Sequence, residues 1–169
     1  LFDRLQSSTQ RGVEVSYTYD ANGNRTGVSS PRGSTGYTFD ERNRLETVTI
    51  SGALTTYRYH QDGRVRDISR GNDAKTAFDY YETLRVKNIR HQYADGGSAV
   101  VAYAYDHNGN RLSAGDTRNG LPDVTTFDEY DAANRLVQFT QDGKVTRYGY
   151  DRYNRQTETV KENGITRVD

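Results

Sequence analysis

Tyr103-Ala104-Tyr105-Asp106-His107-Asn108-Gly109-Asn110-Arg111 repeats, nearly letter for letter, the earlier run Tyr17-Thr18-Tyr19-Asp20-Ala21-Asn22-Gly23-Asn24-Arg25. A fixed internal period decides a fold before any other signal, because each copy is one supersecondary unit stacked on its neighbours. Read as aromatic, any residue, aromatic, Asp, turn residues and Arg, the pattern continues at Tyr37-Thr-Phe39-Asp40 to Arg44. It returns at Tyr57-Arg-Tyr59-His60 to Gly63-Arg64 and, more weakly, at Phe78-Asp-Tyr80-Tyr81 to Arg85. Asp128-Glu-Tyr130-Asp131 to Arg135 lacks its first aromatic, and Tyr148-Gly-Tyr150-Asp151 runs to Arg155. The copies start at 17, 37, 57, 78, 103, 128 and 148, so the steps are 20, 20, 21, 25, 25 and 20.

Each copy reads as two strands. Aromatics at i and i+2 place both rings on one face of a strand, because side chains alternate. Asn22-Gly23, Asp62-Gly63 and Asn108-Gly109 supply the positive-φ residues of tight hairpin turns. After each Arg comes an alternating run of β-formers, such as Leu45–Ile50, Val65–Ile68 and Leu136–Phe139. A second set of turns follows at Pro31-Arg-Gly33, Ser51-Gly52, Gly71-Asn72, Asp95-Gly-Gly97, Asp142-Gly143 and Asn163-Gly164. The expectation is an all-β, repetitive antiparallel hairpin meander of about fifteen strands with almost no helix. One sheet of that many strands at ~4.8 Å spacing is a strip of roughly 70 Å, which must curve.

The composition agrees with a thin core. Leu, Ile, Val and Phe number 30 of 169 residues, whereas 14 Tyr supply rings with a polar tip, suited to a wall wet on at least one side. Lys plus Arg and Asp plus Glu are 23 each and interspersed, so no basic stripe exists to track a phosphate backbone, and nucleic acid is not expected as a partner. No Cys is present, which excludes disulfides and thiolate metal sites and leaves the redox compartment open. No apolar run approaches the ~20 residues of a membrane helix, and no signal peptide is visible in this segment. The chain has no Met. Leu1 to Leu5 reads as the second half of a preceding copy and Ile165 to Asp169 as the start of a next one, so 1–169 reads as one array cut in mid-repeat at both ends, without the polar caps a stacked array needs.

The motif Tyr-x-Tyr-Asp-x-x-Gly-Asn-Arg, as it stands at Tyr17 to Arg25 and Tyr103 to Arg111, resembles the YD repeat of Rhs proteins. Related repeats occur in the B and C components of insecticidal toxin complexes, in wall-associated proteins and in teneurins, and the resemblance covers essentially the whole chain. It implies a β-strip that is part of a larger hollow shell, enclosing a C-terminal toxic polypeptide until delivery, in a secreted or cell-surface bacterial protein engaged in interbacterial competition. The implied partners are the remaining YD repeats, the enclosed toxin and components of a secretion machine. A polar, mixed-charge inner face would hold an unfolded chain without gripping it, where apolar patches would seize it. Releasing shells carry an Asp-Pro-x-x-Gly-Leu-like self-cleavage signature; Gly120-Leu-Pro-Asp123 has the wrong order, which points to a mid-shell segment.

Other readings of the same residues are weaker. Asp20 to Asn24 and Asp106 to Asn110 open like a calcium loop, but Gly is fourth rather than sixth and the twelfth residues are Pro31 and Thr117 in place of Glu, so these are turns and no metal or other cofactor is expected. Arg outnumbers Lys 19 to 4, which suits a phosphate or carboxylate ladder. A cross-turn Asp to Arg contact four or five residues apart is the more economical use, setting register rather than adding much stability. His60, His91 and His107 share no metal or triad spacing, with His60 and His107 in turns and expected to be exposed. Asp128, Glu129 and Asp131 form an acidic cluster of the kind that arises by accident, and no Ser, Thr or Lys stands in an activating context, so no catalysis is expected. The rival function is binding of carbohydrate or a receptor by an extracellular adhesion stretch. Tyr81, Tyr93 and Tyr153 are its candidate platforms, because the repeat does not demand them.

Overall fold

The computed structural model describes residues 4–141, 143–161 and 166–167. It is all-β. In chain order the strands are β1 (Ser7–Gln10), β2 (Val13–Tyr19), β3 (Arg25–Ser30), β4 (Gly33–Phe39), β5 (Leu45–Ile50), β6 (Ala53–Tyr59), β7 (Val65–Arg70) and β8 (Lys75–Tyr80). They continue as β9 (Val86–Gln92), β10 (Ser98–Tyr105), β11 (Arg111–Arg118), β12 (Leu121–Tyr130), β13 (Leu136–Gln141), β14 (Lys144–Tyr150), β15 (Gln156–Lys161) and β16 (Thr166–Arg167). Strand order in the sheet follows chain order, as expected of a hairpin meander. The longer steps of 25 residues are absorbed in long strands, since β10 and β11 have eight residues and β12 has ten.

Contacts divide the chain into two compact units, residues 1–77 and 78–169. In the first unit the register pairs Tyr17 with Val28, Tyr37 with Val48 and Tyr57 with Ile68, so one face carries rings against β-branched side chains. The opposite face is short and hydroxylated: Thr38 pairs with Thr47, and their hydroxyls lie 2.8 Å apart. In the second unit Tyr103 pairs with Ala114 and Tyr148 with Thr159 on the ring face. Burial follows the thin composition. Among the described residues the only buried hydrophobic is Ala99, and the buried polar residues are Asp67, Thr76 and Asp128. Rings such as Tyr17, Tyr37, Tyr57, Phe78, Tyr80, Tyr103 and Tyr148 are half-buried, so each aromatic shields its strand neighbours in place of a deep core.

The second set of turns uses three geometries, and in Pro31-Arg-Gly33 only Gly33 has a positive φ (144°). Ser51-Gly52 has both residues left-handed (φ 48° and 89°), the two-residue turn whose twist matches a hairpin, and Arg11-Gly12 and Asn119-Gly120 do the same. Gly71-Asn72 and Asp95-Gly-Gly97 belong instead to three-residue loops, with Asp73 and Gly96 as the left-handed positions. Gly143 is left-handed (φ 80°), whereas Asp142 and the Asn163-Gly164 turn lie outside the described residues. So do 1–3 and, around β16, 162–165 and 168–169.

Candidate functional site: the motif turns and the contacts between hairpins

All the motif turns close by one backbone pattern. The N–H at the motif Asp position donates to the carbonyl four residues on: Asp20 to Asn24 at 3.0 Å, Asp40 to Arg44 at 2.9 Å and His60 to Arg64 at 2.8 Å in the first unit. In the second unit Tyr81 donates to Arg85, Asp106 to Asn110, Asp131 to Arg135 and Asp151 to Arg155, all at 2.9 or 3.0 Å. The fourth residue donates back to the first and is left-handed: Gly23 (φ 97°), Asn43 (58°), Gly63 (91°), Leu84 (68°), Gly109 (94°), Asn134 (59°) and Asn154 (64°). This is a three-residue loop ending in a left-handed bulge, and the register shifts beside it, as between Thr18 and Tyr19. Of the Asn22-Gly23, Asp62-Gly63 and Asn108-Gly109 pairs only the glycine is left-handed. That corrects the reading of whole dipeptides as positive-φ, because this loop needs one such residue.

The motif carboxylate is consumed by its own turn. Asp40 Oδ1 accepts the Arg42 and Arg44 N–H groups, both at 2.9 Å, and Oδ2 accepts Arg44 Nε at 2.7 Å. Asp131 with Arg135 and Asp151 with Arg155 repeat the arrangement, with Nε at 2.7 and 2.8 Å. Where the Arg stands five residues after the Asp, Asn takes the fourth place in the same loop: Asn24 Nδ2 donates to Asp20 and Asn110 Nδ2 to Asp106, each at 2.9 Å. The partner is therefore fixed at four residues. At five the arginine is released to other work, which narrows the expected spacing of four or five. The bonds to Arg44 and Arg135 hold Asp40 and Asp131 below the ordinary carboxylate value. Asp62, two residues before Arg64 and bonded to it, is pulled down to about 2. This cap was missed in sequence because His60 occupies the usual Asp position. For the same reason His60 is half-buried rather than exposed, while His107 is exposed as expected.

A second set of contacts joins one hairpin to the next. In the first unit the Arg44 guanidinium lies 4.4 Å from the centre of the Tyr59 ring and Nη1 donates to the His60 carbonyl at 3.4 Å. Tyr59 OH donates back to the Leu45 carbonyl at 2.6 Å. Arg4 repeats this on Tyr19 at 5.5 Å, with Tyr19 OH on the Leu5 carbonyl at 2.9 Å. In the second unit Arg135 lies 4.8 Å from the Tyr150 ring, and Tyr150 OH donates to Leu136 at 2.8 Å. Arg85 lies 5.8 Å from the Tyr105 ring. Desolvation raises the phenol pKa of Tyr59, Tyr105 and Tyr130. Gly23 and Gly109 have a second reason to be glycine: a Cβ would collide with the Arg4 and Arg85 guanidinium groups laid across them.

The released arginines work on the ring face. Arg25 lies 5.9 Å from both the Tyr17 and Tyr37 rings, and Arg111 Nε donates to Asp128 Oδ2 at 2.7 Å. Asp128 stands where other copies hold their first aromatic, and its side chain is only 1% exposed. The acidic cluster does not converge, since Glu129 accepts from Gln138 Nε2 at 2.8 Å and Asp131 caps its own turn. Of the off-register rings, Tyr81 packs edge-on against Tyr105 at 6.1 Å and donates to the Tyr103 carbonyl at 2.9 Å. Tyr93 stacks on His91 at 6.3 Å, and Tyr153 lies 4.7 Å from the Arg152 guanidinium and 5.5 Å from that of Arg155. The last two are exposed.

The teneurin YD-shell family model matches residues 2–166. The chain is 29% identical over 161 residues to the tRNA3(Ser)-specific nuclease WapA of Bacillus spizizenii, covering 89% of this chain and 6% of that protein. Among solved structures, TcdB2-TccC3-Cdc42 superposes with a TM-score of 0.78 at 18% identity, covering 91% of this chain and 10% of that one. The Photorhabdus luminescens Tc holotoxin pore carrying TccC3-D651A gives 0.73 at 18% identity, covering 90% and 9%. The likeness to these structures shows the fold, and the chain spans only a tenth or less of each relative's length. By the match of nearly every residue to the family model, the chain belongs to the teneurin YD-shell family.

Proposed function

We propose that this chain is a wall segment of a YD-repeat shell that encloses a toxin polypeptide carried C-terminally in the same protein and helps deliver it. The observation that carries this reading is the mutual saturation of the motif side chains. Asp40 is taken by its own turn, Arg44 by the next hairpin's ring and carbonyl, and Tyr59 OH by the previous hairpin's backbone. Groups engaged in this way build a wall and leave nothing poised for chemistry, so the segment itself has no catalytic role. The toxin proteins among its relatives support the setting, a secreted or cell-surface bacterial protein whose other partners are further repeats and secretion components. The test is limited proteolysis of the intact protein. The C-terminal polypeptide is expected to resist cleavage in the wild type and become sensitive in Arg44→Ala/Arg135→Ala, with far-UV circular dichroism unchanged. Equal sensitivity in both overturns the reading.

The exposed rings of Tyr93 and Tyr153, 47% and 63% accessible, favour carbohydrate or receptor binding as a second reading. Glycan-array binding abolished by Tyr93→Ala or Tyr153→Ala supports it; no binding by the wild type removes it.

A further inference from the structure

Hairpins in the first unit are not joined equally. The arginine-on-tyrosine latch closes the β1/β2 junction through Arg4 and Tyr19 and the β5/β6 junction through Arg44 and Tyr59. Between them, at β3/β4, the corresponding ring is Phe39, which has no hydroxyl to return, and the join at the turns is neutral and exposed; on the ring face Arg25 reaches across to 5.9 Å from the Tyr37 ring, farther than the 4.4 Å of Arg44 on Tyr59. Asn22 and Asn24 donate their amides to Asn43 Oδ1 at 3.1 and 3.0 Å. The strand pairs there are Gly27 with Gly36, Val28 with Thr35, Ser29 with Ser34 and Ser30 with Gly33. At β5/β6 they are Thr47 with Thr56, Val48 with Thr55, Thr49 with Leu54 and Ile50 with Ala53. Cross-strand side-chain pairs are the unit of sheet stabilisation, and glycine-rich strands hold register weakly.

Geometry demands only half of this looseness: a Cβ at Gly27 would come within 2.6 Å of Thr18 Oγ1, but Gly36 is free of any such neighbour. A Cβ at Gly36 would meet nothing within 4 Å, and no left-handed φ requires glycine there. We propose that β3/β4 is a built-in opening line, the junction at which this sheet parts first while the latched hairpins on either side stay closed. The second unit has a counterpart at β11/β12. Asn108 and Asn110 donate to Asn134, Gly115 faces open space, the register shifts between Gly115 and Thr117, and Pro122 lacks a ladder donor. That line is crossed by the partly exposed Arg111 donating to the buried Asp128 and by Thr126 Oγ1 on the Ala114 N–H and carbonyl, while its neighbour β13/β14 carries the Arg135 to Tyr150 latch.

Hydrogen–deuterium exchange of the intact protein, read on peptides covering each strand pair, tests the line. Amides of β3/β4 are expected to exchange at least about tenfold faster than those of β5/β6. Gly36→Thr, or Ser29→Thr/Ser34→Thr if that variant fails to fold, is expected to slow β3/β4 and leave β5/β6 unchanged. Asp128→Asn is expected to speed β11/β12 without moving β13/β14. Equal exchange at the two junctions of the first unit, or a ratio that the substitutions do not move, overturns the proposal. The readout is strand pairing alone, so its failure is distinct from failure of the enclosure reading.

Discussion

At the scale of single residues, the motif carboxylates make the protein acid-sensitive in a predictable direction. Asp40 and Asp131 are held low by their Arg partners, and Asp62 is held at about 2 by Arg64. A depressed folded-state value means the unfolded chain takes up protons first, so this stability is complete above the unfolded value of about 4 and disappears as pH falls toward the folded values. The melting temperature is therefore expected to hold from pH 7 to 5 and to drop between about pH 4 and 2. Asp131→Asn should lower it at pH 7 and flatten the acid drop, as followed by circular dichroism. Leu84 is a separate case: its backbone is left-handed (φ 68°) and its side chain 63% exposed, so it bears strain and returns little burial. Leu84→Gly is expected to stabilise by about 0.5–1 kcal/mol in urea unfolding. Asp128→Asn should cost about 1–3 kcal/mol, because Arg111 loses its charged partner yet keeps solvent on its outer side.

At the scale of the hairpin, one turn geometry serves four sequences, Asp-x-x-Asn-Arg, Asp-x-Asn-Gly-Asn-Arg, His-Gln-Asp-Gly-Arg and Tyr-Glu-Thr-Leu-Arg. All share a left-handed fourth residue, and in the first three a side chain grips the turn's carboxylate from four residues further on, or from two in the case of Asp62. This separates the glycines. Gly63 has only its φ of 91° to satisfy, with nothing within 4 Å of a Cβ, so Gly63→Ala should cost about 1 kcal/mol. Gly23→Ala and Gly109→Ala must also expel the Arg4 or Arg85 guanidinium and should cost more, by about another 1 kcal/mol in chemical denaturation. Much of the hairpin was legible in sequence. Aromatics at i and i+2, a turn dipeptide and an alternating run each report a local geometry. The latch was not legible, because it joins Arg44 to Tyr59 and Tyr59 to Leu45 across two strands, and period alone does not say which neighbouring side chains touch. Asp128 was visible as a missing aromatic and as part of an accidental acidic cluster; that it pairs with Arg111 required the register of β11 and β12.

At the scale of the molecule, many half-buried rings replace a core, and stability is spread over repeated junctions. So little apolar surface leaves water on folding that the heat-capacity change of unfolding should fall below the ~12–15 cal/mol/K per residue of ordinary globular proteins, as measured by scanning calorimetry. The all-β class and the meander order followed from the repeat itself, since only neighbouring hairpins bury each other's faces. The unequal junctions did not, because Gly27 and Gly36 become a pair only once the strands are in register. Everything at this scale depends on arginine and tyrosine locking one hairpin to the next. A double-mutant cycle of Arg44→Ala and Tyr59→Leu, read by urea unfolding, measures that lock directly. A coupling energy of about 0.5–2 kcal/mol is predicted. Additivity within about 0.3 kcal/mol would contradict it.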